Sequence, residues 1–251
     1  MTYNSGELAI VLAAGQGTRM LSDLPKVLIE VDGRPMIDFV LDALTAAGIG
    51  RIVVVVGYQA EKVRQALKSR QNVDFATQAE RRGTGHAVMC CEEQLATHDG
   101  PVLIVTGDSP MMQAASLRKL LDEFRSQGAA CLLGTTRKDD PHGLGRIVRD
   151  QAGRFQRIVE EKDATDEQRA ITEVNMSCYV FDAASLRSSL SQLTDDNQQG
   201  EYYITDCPGI LLGEGKVVEA LDVLQPIESM SINTPEERDA VEQVLQGLRQ
   251  D

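Results

Sequence analysis

Apolar residues in this chain form short unbroken runs, separated by longer stretches in which they recur every three or four positions. Leu8–Leu12 is the first run, with Ile10 and Val11 at its centre. A continuous apolar run of that length predicts a strand buried on both faces. From Pro35 to Leu44 the spacing is helical, with proline in the first turn and Gly48 as the stop. Ile52–Val56 predicts the next buried strand, Ala60–Ser69 a helix, and Val73–Ala76 another strand. Pro101–Val105 repeats the strand pattern, and a helix follows from about Ser116 to Ser126. Such alternation predicts an α/β fold with a doubly wound, mostly parallel sheet.

The second half reads differently. Arg146–Val148, Phe155–Val159 and Val174–Phe181 interleave polar with apolar residues around a turn at Gly153. They predict an antiparallel, strand-rich extension over one end of the sheet. Asp163–Arg169 reads as an exposed turn or helix. Pro208-Gly209 is expected to delay or break a helix. The last helix runs from Thr234 to Leu248, with Thr234 as N-cap, Pro235 behind it and Glu237 closing a capping box. No repeat, linker or low-complexity tract interrupts the chain. One domain over 1–251 is expected: a nucleotide half at about 1–110, a second half at about 111–233, and the closing helix at 234–248.

Composition narrows the partners. The 251 residues are 42% hydrophobic, enough for a large core, and the formal net charge is -13. That charge argues against nucleic acid or an acidic membrane surface, since both need a basic footprint. No apolar run approaches the roughly 20 residues of a spanning helix. The first fifteen residues lack the basic and apolar regions of a signal peptide. Five cysteines without metal-ligand spacing and three scattered histidines point to thiols in a reducing cytoplasm, not to a disulfide framework or a histidine metal site.

Chemistry concentrates after the first strand, where Leu12-Ala13-Ala14-Gly15-Gln16-Gly17-Thr18-Arg19-Met20 runs on to Pro25-Lys26. Small residues let backbone N–H groups approach a phosphate chain. Arg19 can fork onto phosphate oxygens, and Lys26 adds a compact charge. The place fits, because ligands of open α/β sheets bind beyond the carboxyl ends of the strands. A dinucleotide fingerprint would need Gly or Ala where Met20 stands, with a helix starting inside the motif. Here a second apolar segment, Val27–Val31, intervenes. The GK[ST] of a P-loop is absent.

LAAGQGTRM followed by LPK resembles the signature of sugar-1-phosphate nucleotidyltransferases, in particular the uridylyltransferase domain of the bacterial enzymes that make UDP-N-acetylglucosamine. TQAERRGTGHA, TGDSP, GLGRI, VEEKDATDEQR, GEYYITD and Ser231-Ile232-Asn233 extend the likeness, in order, over about residues 8 to 240. The resemblance implies the Rossmann-like fold of nucleotide-diphospho-sugar transferases. It also implies transfer of a uridylyl group from UTP to N-acetylglucosamine-1-phosphate, with Mg²⁺ as cofactor.

It further implies roles by position. Leu12, Ala13, Ala14 and Gly15 would line the nucleotide, with Arg19 and Lys26 catalytic. Gln78 and Gly83 would read the base and Thr84 support it, although GTG by itself is also a turn and cap. Asp108, at the end of an apolar strand, would ligate Mg²⁺ with Asn233, although an aspartate before Ser109-Pro110 also suits a helix cap. Gly145, Glu160, Asn175, Tyr203 and Thr205 would hold the sugar. Lys162 reads either as charge near the sugar phosphate or as a solvated partner of Glu161. The chain departs from the family at Thr106, where a tyrosine is expected, and at Met176-Ser177, where Thr-Gly is expected. It shows none of the hexapeptide repeats of the acetyltransferase domain in bifunctional relatives, so that activity is not expected. The residues leave oligomeric state open. They also leave open another sugar phosphate, such as glucose-1-phosphate, and a binding module without turnover.

Overall fold

The computed structural model describes residues 6–20 and 22–248. The ends of the single-domain span, the first five positions of the segment read for a signal peptide, and Leu21 lie outside the described residues. Strand β1 (Leu8–Ala13) leads through two short 3₁₀ turns, Thr18–Met20 and Lys26–Leu28, into a ribbon of β2 (Glu30–Val31) and β3 (Arg34–Pro35). Then come α1 (Met36–Ala46), β4 (Arg51–Val56), α2 (Ala60–Ala66), β5 (Val73–Thr77), α3 (Thr84–Met89) and α4 (Glu92–Ala96). Next are β6 (Pro101–Thr106), α5 (Ala114–Gln127), β7 (Cys131–Arg137), β8 (Arg146–Arg149) and β9 (Phe155–Val159). The chain continues with α6 (Asp166–Arg169), β10 (Glu173–Asp182), α7 (Ala183–Leu190), α8 (Cys207–Gly213), β11 (Val218–Asp222) and α9 (Pro235–Leu248).

The main sheet runs β11-β7-β10-β6-β1-β4-β5, with β8 and β9 branching from β10. β1 pairs in parallel with β4 and β6, and β4 with β5. β1, β4 and β6 are apolar through their centres because helices cover both faces, whereas the edge strand β5 exposes Asp74. Leu8, Ile10, Val53 and Val55 pack under α3, α4, α7 and α8 through Val88, Leu95, Leu186 and Leu211. Ala9, Val11, Val54 and Val56 face α1, α2 and α5 through Ile37, Val40, Val63, Leu117 and Phe124. Burying each large side chain of this kind stabilises the fold by about 1.5–3 kcal/mol, so a charge anywhere in these runs would be severe. Parallel register brings the carboxyl ends of β1, β4, β5 and β6 to one edge, where ligand-binding loops can gather.

Several expectations are corrected. β10 does not lie over the end of the sheet. It sits inside it, antiparallel to β6 and β7, and only the β8–β9 hairpin extends outward. β7 carries a glycine in its middle, which weakens its strand signature. A Cβ at Gly134 would stand 3.0 Å from the Leu224 side chain, so the glycine serves packing. Pro208 does not break a helix. It occupies the first turn of α8, where its missing N–H has no helical partner to lose. Pro35 stands at the N-cap of α1, just ahead of the turn expected for it. Val27–Val31 is a 3₁₀ turn followed by a short strand.

A third apolar cluster joins Met20, Ile29, Val31, Met36, Met111, Ile232 and Val241. It seats α9 across the mouth of the β1 loop. Thr234 and Glu237 form the predicted reciprocal cap, with Oγ1 accepting from the Glu237 N–H and the carboxylate accepting from the Thr234 N–H, each at 3.2 Å. Asn233 is thereby fixed immediately before the helix, next to the glycine loop.

Candidate active site

The β1 loop is tied to both neighbouring strands. Leu12 O accepts from Gly107 N at 2.9 Å, and Ala14 O from Tyr58 N at 3.2 Å. Gly17 has φ +70°, and a Cβ there would lie 2.8 Å from the Lys26 Cβ. The loop folds back through a left-handed turn that only glycine adopts readily, and the Lys26 stem occupies the space so cleared. Thr106 Oγ1 and Ser109 Oγ, 2.9 Å apart, close the turn that carries Asp108. That turn leads to no adjacent helix, so the helix-cap reading of Asp108 does not apply.

Four predicted residues meet directly. The Lys26 ammonium pairs with Asp108 Oδ2 and donates to Asn233 Oδ1 at 2.7 Å. Arg19 Nη2 donates to the same Asn233 oxygen at 3.0 Å. A carboxylate oxygen and an amide oxygen from distant parts of the chain thus converge on one cationic group. Such a donor pair suits Mg²⁺, which takes one or two protein oxygens and completes its shell with phosphate and water. Among the described residues no group of three or more His, Cys, Asp or Glu could hold a metal by itself. The fit therefore requires oxygens from a phosphorylated substrate.

The residues predicted to read the base lie beyond β5. Gln78 is buried, and its side-chain Nε2 donates to Gly83 O at 3.0 Å. Gly83 has φ +102°, and a Cβ there would clash with Tyr202 O at 2.5 Å. Thr84 Oγ1 accepts from Ile204 N at 3.1 Å, so the base loop is stitched to the segment carrying Tyr203 and Thr205. Gly57 lies between the two loops, since a Cβ on it would touch both Ala14 and Gln78 O.

The sugar-end residues divide between two cavities. Asn175 lines one of about 170 Å³ with Asp108, Ser177, Glu228 and Asn233. Glu160, Tyr203 and Thr205 line another of about 660 Å³. Gly145 is the seam, with a Cβ position 3.4 Å from Asn175 Cβ and 3.6 Å from Glu160 Oε2. Burial pushes the Glu160 carboxyl above its usual range; the Thr205 hydroxyl, donating at 3.0 Å, opposes this, while Asp206 and Asp163 reinforce it. Asn175 donates to the buried Tyr179 hydroxyl at 2.7 Å and accepts from Ser177 N at 3.2 Å. One amide hydrogen remains for a ligand. The Tyr203 hydroxyl accepts from Gln199 Nε2 at 2.6 Å. Lys162 and Glu161 do not pair: Glu161 bonds to the buried Arg146 at 2.6 Å, and Lys162 donates to Gln199 at 2.6 Å.

With this geometry in place, similarity to known proteins is informative. Residues 9–203 match the MobA-like NTP transferase domain. The chain belongs to that family. Among curated relatives, this NTP transferase domain is 44% identical over 225 residues to the bifunctional protein GlmU of Pelobacter propionicus, covering 90% of this chain and 49% of the relative. To GlmU of Shouchella clausii it is 40% identical over 245 residues, covering 98% of the chain and 53% of the relative. The chain thus spans about half the length of the curated relatives it matches. In fold, the domain resembles the crystal structure of a Bacillus anthracis protein assigned as a glucose-1-phosphate thymidylyltransferase. The TM-score is 0.79 over 95% of both chains, at 19% identity.

Two supporting groups of this NTP transferase domain were not anticipated. The buried Glu228 carboxylate accepts from Gln113 N at 2.8 Å, Ser116 Oγ at 2.6 Å and Gln225 N at 2.7 Å. It caps α5 and anchors the segment leading to Asn233. Gln225 is a local partner in a capping box, but Gln113 and Ser116 lie over a hundred positions away, so no local pattern announces the tie to α5. His86 touches Gln78, and its string GTGHA was visible, but the histidine carried no assigned task.

Proposed function

We propose that this domain transfers the uridylyl group of UTP to N-acetylglucosamine-1-phosphate, forming UDP-N-acetylglucosamine and pyrophosphate. The observation that carries the reading is the convergence of Arg19, Lys26, Asp108 and Asn233 at the mouth of the β1 loop. Leu12, Ala13, Ala14 and Gly15 line the nucleotide, while Gln78, Gly83 and Thr84 form the base end. Glu160 accepts from sugar hydroxyls, and Gly145, Asn175, Tyr203 and Thr205 complete the sugar end.

The attacking oxygen belongs to the sugar phosphate, whose second pKa is near 6. It is largely ionised at neutral pH and needs no general base. The protein's work is alignment of two anions and neutralisation of charge in an in-line displacement at the α-phosphorus. Arg19 and Lys26 stabilise the departing pyrophosphate. Asp108 and Asn233 would hold Mg²⁺, which when bound neutralises phosphate charge and orients the triphosphate. Buried, unpaired cysteines suit a reducing compartment such as the cytoplasm.

The test is pyrophosphate release with UTP and Mg²⁺. Release that requires N-acetylglucosamine-1-phosphate supports the reading. Tight binding of both ligands without release would make the domain a binding module.

A further inference from the structure

Both hydrogens of the Gln78 side-chain amide are engaged within the protein. Nε2 lies 3.0 Å from Gly83 O and 3.1 Å from His86 Nδ1. A carbonyl oxygen can only accept, so the atom facing Gly83 O is the nitrogen, and the orientation of the amide follows. The second hydrogen points to His86 Nδ1, which accepts it through its ring lone pair. The Gln78 oxygen Oε1 is left without a protein partner among the described residues.

We infer that His86 is a specificity-determining positioning residue: it locks the Gln78 amide so that a carbonyl oxygen, never the NH₂ group, is offered to the base. Uracil carries an N3–H that matches this acceptor. Cytosine presents a lone pair at N3 and is repelled. A single anchor at Gly83 O would allow the amide to pivot. With the second anchor, a flipped amide sets its oxygen against Gly83 O and keeps His86 only if the ring moves its proton to Nδ1. A flip therefore loses the bond to Gly83 O, gains a repulsion there, and either loses the His86 bond or requires the other tautomer. Neither the glycines nor Gln78 could enforce this alone, because the amide is symmetric in shape and differs only in its hydrogen-bonding sense.

The inference rests on the uridylyl reading, and one experiment separates the two. Steady-state kcat/KM is measured for UTP and for CTP, with N-acetylglucosamine-1-phosphate and Mg²⁺, in wild type, His86→Leu, His86→Asn and His86→Gln. Thermal melts of each variant run in parallel. Wild type should prefer UTP by at least about 10²-fold. His86→Leu should lower the UTP/CTP ratio by about 3- to 10-fold, the value of one hydrogen bond. The change should fall on nucleotide KM more than on kcat, since the base contact is the same in ground and transition states. His86→Asn places an acceptor on the same carbon that bears Nδ1 and should restore the ratio. His86→Gln carries its amide one bond further out and should behave like His86→Leu. If His86→Leu does not fold, the Asn and Gln variants alone decide. An unchanged ratio in the Leu variant, or Asn and Gln variants that behave alike, would overturn the role of His86 and leave the uridylyl reading standing. A wild-type enzyme indifferent to UTP and CTP would overturn both.

Discussion

At the phosphate end, Arg19, Lys26, Asp108 and Asn233 bond to one another. Among the residues predicted for the sugar, Glu160 and Thr205 bond to each other, while the side chains of Asn175 and Tyr203 bond to neighbours outside the set, Tyr179 with Ser177 and Gln199. The first arrangement is a charge network whose members, on the proposed function, would exchange partners when phosphates bind. The second is a set of side chains held largely by uncharged hydrogen-bonding partners, which on the proposed function are in place before any sugar binds. Substitutions at the first end should therefore act on the chemical step. Those at the second should act on sugar affinity and on stability.

The largest effect concerns the metal. Chelation should abolish turnover and added Mg²⁺ restore it, with Asp108→Ala raising the Mg²⁺ requirement steeply, because one carboxylate carries most of the protein's charge there. Full activity after chelation, read as pyrophosphate release, would remove Asp108 from this role. Next come the cations. Lys26→Ala or Arg19→Ala should lower kcat/KM by about 10²-fold or more while the melting curve hardly moves. A folded Lys26→Ala enzyme with near-normal turnover would break the contrast between the two ends.

Glu160→Gln should separate affinity from stability. Its carboxyl is raised by burial, so the folded state holds its proton more tightly than the unfolded chain. Stability from this group is fully present below the unfolded value and is lost as pH rises through the folded one. Ionised Glu160 is thus a cost at neutral pH, and the neutral glutamine should raise Tm there and give no gain in acid. The same change should raise KM for the sugar phosphate by about 10-fold, as expected for losing a charged hydrogen-bond acceptor. An unmoved KM would exclude Glu160 from the sugar site.

The smallest effect is at Ser177. It has φ +49° in the irregularity of β10 between Asn175 and Cys178, at the position where the family resemblance led us to expect glycine. Left-handed backbone costs a non-glycine residue about 1–2 kcal/mol, partly offset by the extra freedom glycine has when unfolded. The Ser177 side chain also hydrogen-bonds the buried Tyr179, so Ser177→Gly should shift Tm by no more than a few degrees and leave turnover intact. A larger shift of the melting curve, or a loss of turnover, would contradict that balance.

What could be read beforehand follows from how local each feature is. The β1 loop, with Arg19 and Lys26, lies on one stretch of chain, and strand alternation placed it correctly at the sheet edge. Asp108 and Asn233 were named from the resemblance, and the apolar packing of Ile232 and Val241 explains how they meet. The position of β10 was not legible, because pairing partners are a tertiary choice that alternation cannot express. The tie from Glu228 to α5 escaped for the same reason, since the fold alone brings Gln113 and Ser116 to it, and His86, eight positions from Gln78, carried no assigned task.

The most direct test of the account is kcat/KM for N-acetylglucosamine-1-phosphate against glucose-1-phosphate, at fixed UTP and Mg²⁺. The remaining amide hydrogen of Asn175 would lack its partner with glucose-1-phosphate, a loss of about 1–3 kcal/mol or roughly 10- to 150-fold. The account predicts a preference of that size for the acetamido sugar. Equal values, or a preference for glucose-1-phosphate, would contradict it.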